Sequence, residues 1–177
     1  YIVKIFEFKD IQTNIKIGGK FQVNKKEIVI EAFKDEVKML QELNKNVPKL
    51  VVKLYEAFEC NENGIENGII IMEKKDGDFS EVIIGKKTNK DDIDKIITLI
   101  TKFHDNGYVH LDLKPANILY SQTGGGFLSS AKRDYVLTDF GTTISIKGEN
   151  EKVKEAYKLV DWYYLIYIIQ HLLNNIN

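Results

Sequence analysis

The sequence predicts an α+β protein, with strand-like runs crowded into its first part and helical patterns spread along the chain. Three observations carry that prediction. Apolar, β-rich runs crowd the first part of the chain, at Tyr1 to Phe8, Val51 to Phe58 and Ile69 to Met72. Apolar residues recur at helical spacing in Glu27 to Leu43, Asp91 to His104 and Leu159 to Leu173. The chain has 177 residues, 44% of them hydrophobic, which suits one domain, or two small lobes, with a sizeable core.

Each element has its own signal. Tyr1 to Phe8 alternates poorly but is rich in strand formers. Lys9 to Lys26 is mixed and polar with a turn signal at Gly18-Gly19, which predicts a loop or small hairpin inserted there. In Glu27 to Leu43, Phe33, Glu36, Leu40 and Leu43 fall at steps of 3, 4 and 3, one face of a helix that Asn44 to Pro48 ends. After the strand Val51 to Phe58, two Asn-Gly pairs at 63–64 and 67–68 predict a hairpin turn, with Ile69 to Met72 as the buried return strand. Asp76-Gly77-Asp78 breaks the pattern and marks a lobe boundary. Ile93, Ile96, Ile97, Ile100 and Phe103 form the stripe of the next helix, stopped by Asn106-Gly107. Gly124 to Gly126 is a turn, and Tyr135 to Leu137 a short strand. Leu159 to Leu173 is apolar on nearly every face, which predicts a helix inside the core.

Composition excludes several classes. The 25 Lys+Arg against 26 Asp+Glu give a net charge of -1, unlike a strongly basic nucleic-acid binder. Of the basic residues 24 are Lys and one is Arg133, so no arginine cluster can grip phosphate bidentately. Cys60 is the only cysteine, so neither an internal disulfide nor a Cys-rich zinc site can form. The longest apolar run, Trp162 to Ile169, is far short of the roughly 20 residues that span a bilayer. The expected compartment is cytoplasmic, with no nucleic-acid or membrane partner. The oligomeric state is open.

The chemistry concentrates in His110-Leu-Asp112-Leu-Lys114-Pro-Ala-Asn117-Ile-Leu-Tyr120, followed by Thr138-Asp139-Phe140-Gly141. Three ionic residues and an Asn on a short loop beside an apolar strand serve no core. Asp139 ends a predicted buried strand, where an unpaired carboxylate costs several kcal/mol. A cation explains it. Asp139 and Asn117 are hard oxygen ligands suited to Mg2+, which takes one or two protein ligands plus phosphate oxygens. Glu36 lies on an apolar stripe, where a carboxylate either finds a cationic partner or flanks the stripe and reaches water.

The loop resembles the H-R-D-x-x-x-x-N catalytic loop of protein kinases, and Asp139-Phe140-Gly141 resembles their D-F-G. The resemblance implies a bilobal protein-kinase-like fold truncated at both ends, with an N-lobe over 1–75 (insertion about 9–26) and a C-lobe over 76–177. It implies ATP and Mg2+ as cofactors and γ-phosphate transfer to a Ser/Thr hydroxyl of a protein substrate. Lys4 resembles the lysine that positions the α- and β-phosphates, and Glu36 the glutamate that holds it. Ile2, Met72, Glu73 to Lys75 and Leu119 would surround the adenine. Asp112 would accept the substrate proton, Lys114 steady the γ-phosphate, and Asn117 and Asp139 hold Mg2+. Asp161 resembles the buried Asp that braces the catalytic loop. His110 and Phe140 would stack with Leu40 and Leu54 as structure.

Four departures stand out. No Gly-rich phosphate loop precedes Lys4, and Gly18-Gly19 is a poor substitute. Ile2 replaces the usual small residue over the adenine. Leu111 replaces the Arg of H-R-D, so control by a phosphate on the following segment is not expected. Asp161 follows Asp139 by only 22 positions, with no A-P-E motif between them. Other readings are a pseudokinase that binds nucleotide, a small-molecule kinase of the aminoglycoside or choline type, and a non-enzymatic interaction domain.

Overall fold

The computed structural model describes residues 1–9, 12–16, 20–124 and 132–174, and of residues 12–16, 20–24, 172 and 173 the backbone alone. The chain opens with strand β1 (Ile2–Glu7). Side chains alternate along a strand, so Ile2, Lys4 and Phe6 share one face. The expected insertion is a hairpin of β2 (Gln12–Lys16) and β3 (Lys20–Asn24), paired Gln12 to Asn24 through Lys16 to Lys20. Its turn at Gly18-Gly19 lies outside the described residues.

Helix α1 (Lys25–Asn46) extends past the predicted 27–43 at both ends and buries Phe33, Glu36, Leu40 and Leu43, the predicted stripe. It packs under a sheet completed by β4 (Leu54–Glu62) and β5 (Ile65–Met72), in the order β1-β5-β4 and antiparallel throughout. The rings of Phe6 and Phe8 meet Phe33 edge-on at 5.4 and 5.8 Å. One of the two Asn-Gly pairs makes the turn: Asn63 and Gly64 both have positive φ, 53° and 81°. The other, Asn67-Gly68, lies inside β5, where a Cβ on Gly68 would stand 2.6 Å from the Phe33 ring. Glycine is there for close packing.

The second part begins at β6 (Gly77–Asp78), whose Asp78 caps the short helix α2 (Phe79–Ile84) by accepting from the Ser80 and Glu81 N–H groups. Helix α3 (Lys90–Asp105) starts in a reciprocal box between Asn89 and Asp92. Its buried face carries Ile96, Leu99, Ile100 and Phe103 together with Asp92 and His104, while the expected Ile93 and Ile97 are exposed. Then come β7 (Tyr108–Val109), a 3-10 turn at Pro115–Asn117, β8 (Ile118–Thr123), β9 (Lys132–Leu137) and β10 (Ile144–Ser145). β8 pairs with both β6 and β9, and β10 pairs with β7. Gly124 keeps a positive φ of 76°, and the rest of the predicted Gly turn lies outside the described residues.

Helix α4 (Glu151–Asn174) starts before the predicted Leu159. It buries Asp161 and Leu165, but Leu159, Tyr163, Tyr164, Ile166 and Tyr167 are exposed. Its apolar character all round did not make it a core helix, because α4 meets its neighbours on one side. Among the described residues no helix is long and apolar enough to cross a membrane. The two parts are sewn together at Leu137, whose N–H donates to Leu50 O at 2.9 Å and whose carbonyl accepts from Val52 N at 2.8 Å. One hydrophobic core, with Leu40, Met72, Phe103 and Phe140 among its members, runs through both.

Candidate active site

The site assembles from four stretches that are remote in sequence. β1 presents Lys4 on the face it shares with Phe6, toward α1. There the Lys4 ammonium donates to both oxygens of Glu36 at 2.8 Å and to Asp139 Oδ1 at 2.9 Å. Burial pulls the Lys4 ammonium down, but bonds and charges from Glu36 and Asp139 outweigh it and leave its pKa above the ordinary lysine value. Burial pushes the Glu36 carboxyl above its ordinary range against the pull of Lys4. Burial also works upward on Asp139, yet the Lys4 bond and charge overcome it and hold that carboxyl below its usual value.

The cation that Asp139 called for is therefore Lys4. The burial argument for a metal does not stand on its own, since the Asp139 side chain is 42% exposed. Asp139 has a φ of 65°, the left-handed region that a short polar side chain tolerates best. It follows Thr138, whose N–H donates to the Asn117 carbonyl at 3.1 Å, so the end of β9 and the start of β8 lie side by side. Asn117 is buried and spends its amide nitrogen on Asp112, at 2.9 Å to the carbonyl and 3.2 Å to Oδ2. That leaves its amide oxygen as the atom that could face a cation. Asp139 and Asn117 thus offer hard oxygens, with Asp139 partly exposed, which fits a Mg2+ ion held by few protein ligands.

Asp112 is half-exposed and accepts the Lys114 ammonium at 2.7 Å on the same Oδ2. Pro115 fixes the following 3-10 turn. The loop backbone hangs on Asp161, which is fully buried. Its Oδ1 accepts the Leu111 N–H at 2.7 Å, and its Oδ2 accepts the His110 N–H at 2.8 Å and His104 Nε2 at 2.9 Å. This holds Leu111 at a φ of 61°, a conformation costing a branched residue about 1–2 kcal/mol. His104 as the third donor to Asp161 was missed in the sequence, where nothing but its place near a helix end singled it out.

His110 is fully buried, and its Nε2 faces the Thr138 carbonyl at 2.9 Å. Burial lowers its pKa despite that carbonyl and the nearby carboxylates, so it is a neutral ring. It packs 5.6 Å from Phe140, which is structure and not chemistry. Leu40 and Phe140 belong to the same core, and Leu54 packs against it.

Ile2, Met72 and Leu119, expected around an adenine, stand on β1, β5 and β8. Met72 is buried opposite Ile2 on β1 and Leu54 on β4. Ile2 is exposed, and Leu119 is half-buried on β8. The Glu73 N–H is taken by the Lys53 carbonyl at 2.9 Å, and the side chains of Glu73 and Lys75 pair at 2.9 Å. Among the described residues no hydrogen bond occupies the Glu73 carbonyl or the Lys75 N–H. Those two groups are the ones an adenine edge could use.

Against known proteins, residues 3–165 match the protein kinase domain. The chain is 32% identical to CDPK-related kinase 3 of Arabidopsis thaliana over 161 residues, 85% of this chain and 25% of that protein. It is 29% identical to serine/threonine-protein kinase dkf-1 of Caenorhabditis elegans over 120 residues, 64% of this chain and 16% of that protein. With cyclin-dependent kinase 20 of Danio rerio it shares 28% identity over 134 residues, 72% of this chain and 35% of that protein. The chain thus spans about a third or less of the length of these relatives.

Proposed function

The chain belongs to the protein kinase domain family, with that family's α+β fold of a small sheet-bearing lobe and a larger helical one, and from that premise we propose that it transfers the γ-phosphate of ATP to a serine or threonine hydroxyl of a protein substrate. In this reading the lobes divide at about 75/76, in the stretch between β5 and β6. The observation that carries the proposal is the single Lys4 ammonium shared by Glu36 and Asp139, beside the Asp112, Lys114 and Asn117 loop.

In this reading Lys4 positions the nucleotide phosphates and Glu36 holds Lys4. The Glu73 carbonyl and Lys75 N–H read the adenine between Ile2, Met72 and Leu119. Asn117 and Asp139 are the residues that would hold Mg2+, which when bound offsets phosphate charge. Asp112 orients the hydroxyl and accepts its proton. The Lys114 ammonium, 2.7 Å from Asp112, keeps the carboxylate from swinging away and lies ready for a phosphate oxygen. Serine and threonine are favoured by Lys114-Pro115, and serine/threonine kinases stand among the relatives.

The test is transfer of radiolabelled phosphate from ATP with Mg2+ to Ser, Thr and Tyr peptide pools, for the wild type and Asp112→Asn. Loss of a general base is expected to lower the rate by about 10²–10⁴-fold. Equal signal from both proteins would sink the proposal. Labelling of aminoglycosides or simple alcohols in place of peptides would move the chain to the small-molecule kinases, and nucleotide binding without transfer would make it a pseudokinase.

A further inference from the structure

Tyr108 is fully buried in β7, two residues before His110, yet its hydroxyl is hydrogen-bonded to capacity. It donates to Glu42 Oε1 at 2.7 Å and accepts from Asn46 Nδ2 at 2.8 Å and from Lys147 Nζ at 2.9 Å. A phenol has one proton to give and two lone pairs to fill, and all three are used. The partners come from elements that each bear on the site. Glu42 and Asn46 sit on the last turns of α1, about 9 Å or more of helix rise beyond Glu36. Lys147 sits beyond β10, in the segment that follows Asp139-Phe140-Gly141.

Lys147 is seated as well as bonded. Its ammonium lies 4.2 Å from the centre of the Tyr108 ring. Its stem crosses Gly107 so closely that a Cβ there would stand 2.5 Å from Lys147 Cγ. The Ile146 N–H donates to the Gly107 carbonyl at 2.8 Å, and β10 pairs with β7 alongside. Nearer Asp139, the Thr142 hydroxyl donates to the His110 carbonyl at 2.9 Å, so the unmodified hydroxyl is what anchors this segment. Leu111 offers no charge there to answer a phosphate.

We infer that Tyr108 is a positioning residue whose hydroxyl clasps the C-terminal half of α1 to the segment after Asp139, and so keeps Glu36 and Asp139 in place for Lys4 with no phosphate on that segment. The effect on catalysis rests on the phosphotransfer reading above; the clasp itself does not.

The test uses the full chain with Tyr108→Phe, which keeps the ring, and Lys147→Met, which keeps the stem. Hydrogen exchange of peptides covering 36–46 and 142–149 is measured beside kcat, KM for ATP and the thermal midpoint. Both variants are expected to exchange faster in both segments. Each is expected to lose about tenfold in kcat, the worth of one charge-assisted hydrogen bond, with KM for ATP moving less. Lys147→Arg, which restores a charged donor, is expected to recover most of the loss. Faster exchange confined to 142–149, with 36–46 unchanged in both variants, would overturn the clasp. Faster exchange in both segments with kcat unchanged would overturn the positioning role. A wild type that transfers no phosphate counts against the phosphotransfer reading, and the exchange comparison still decides the clasp.

Discussion

Asp161→Asn is the substitution whose cost the structure specifies best. Asp161 takes three hydrogen bonds on two oxygens, from Leu111 N–H on Oδ1 and from His110 N–H and His104 Nε2 on Oδ2. Asparagine has nearly the same shape but one acceptor oxygen. Its better placement puts that oxygen where Oδ2 was, which keeps two bonds at reduced strength and turns an amide N–H toward the Leu111 N–H. One buried donor left facing another donor costs about 1–3 kcal/mol, and weakening two charge-assisted bonds adds to it, so the loss is about 2–4 kcal/mol. Against a typical total of about 5–15 kcal/mol, the protein stays folded but is clearly weakened. The strained Leu111 also loses its anchor and can relax, which shifts Asp112. Urea denaturation at pH 7, with the m value monitored, gives the stability, and phosphate transfer gives the second effect. A loss below about 0.5 kcal/mol, the range of an ordinary surface substitution, would refute the reasoning.

Lys4→Met leaves Glu36 buried without its cation. The Lys4 side chain is 35% exposed, so the loss is expected below the ~3–5 kcal/mol of a fully buried pair, at about 1–3 kcal/mol in chemical denaturation. Gly68→Ala drives a methyl into the Phe33 ring and is expected to cost about 1–3 kcal/mol; Phe33→Leu in the same chain should recover part of it, and strictly additive losses would refute the contact. His110 has a lowered folded pKa, so its contribution is present above its unfolded pKa of about 6.5 and is lost as pH falls. Stability should therefore drop by up to about 1.4 kcal/mol per pH unit just below that value from this ring, and His110→Phe should flatten that slope.

The legible parts of the fold are those where a local pattern and the tertiary contact agree. The α1 stripe was readable because a 3.6-residue period placed Glu36 among Phe33, Leu40 and Leu43, and a carboxylate there demanded a cation. The hairpin turn at Asn63-Gly64 was readable because its positive φ values need those residues. Asn67-Gly68 carried the same signal, but pairing to β1 and β4 on both sides, with Phe33 pressed on Gly68, overrode it. The face of α3 was misjudged for the same kind of reason. Asp92 and His104 turn inward because Arg133, Tyr135 and Asp161 wait for them 41 to 57 residues away, and no local period reveals that. Helix α2, six residues long, is too short for periodicity to register.

The site shows why a chain with 24 lysines and one arginine can do without more arginine. A lysine ammonium is a point charge on a flexible stem, suited to being shared. Lys4 divides its donors between two carboxylates, and Lys147 divides its charge between a phenol oxygen and the face of the same ring. Neither task needs a planar fork. The one arginine is buried, where its Nη1 donates to Asp92 at 2.9 Å and its guanidinium lies 5.7 Å over the Tyr120 ring. A flat, weakly hydrated cation suits that place, and the same Asp92 accepts Tyr135, raising that phenol's pKa by burial and by the carboxylate. Arg133 is thus committed to joining α3 to β9 and is not available to the segment after Asp139. With Leu111 beside Asp112, that segment has to be held by hydroxyls, strand pairing and Lys147, and these are the contacts the structure shows holding it.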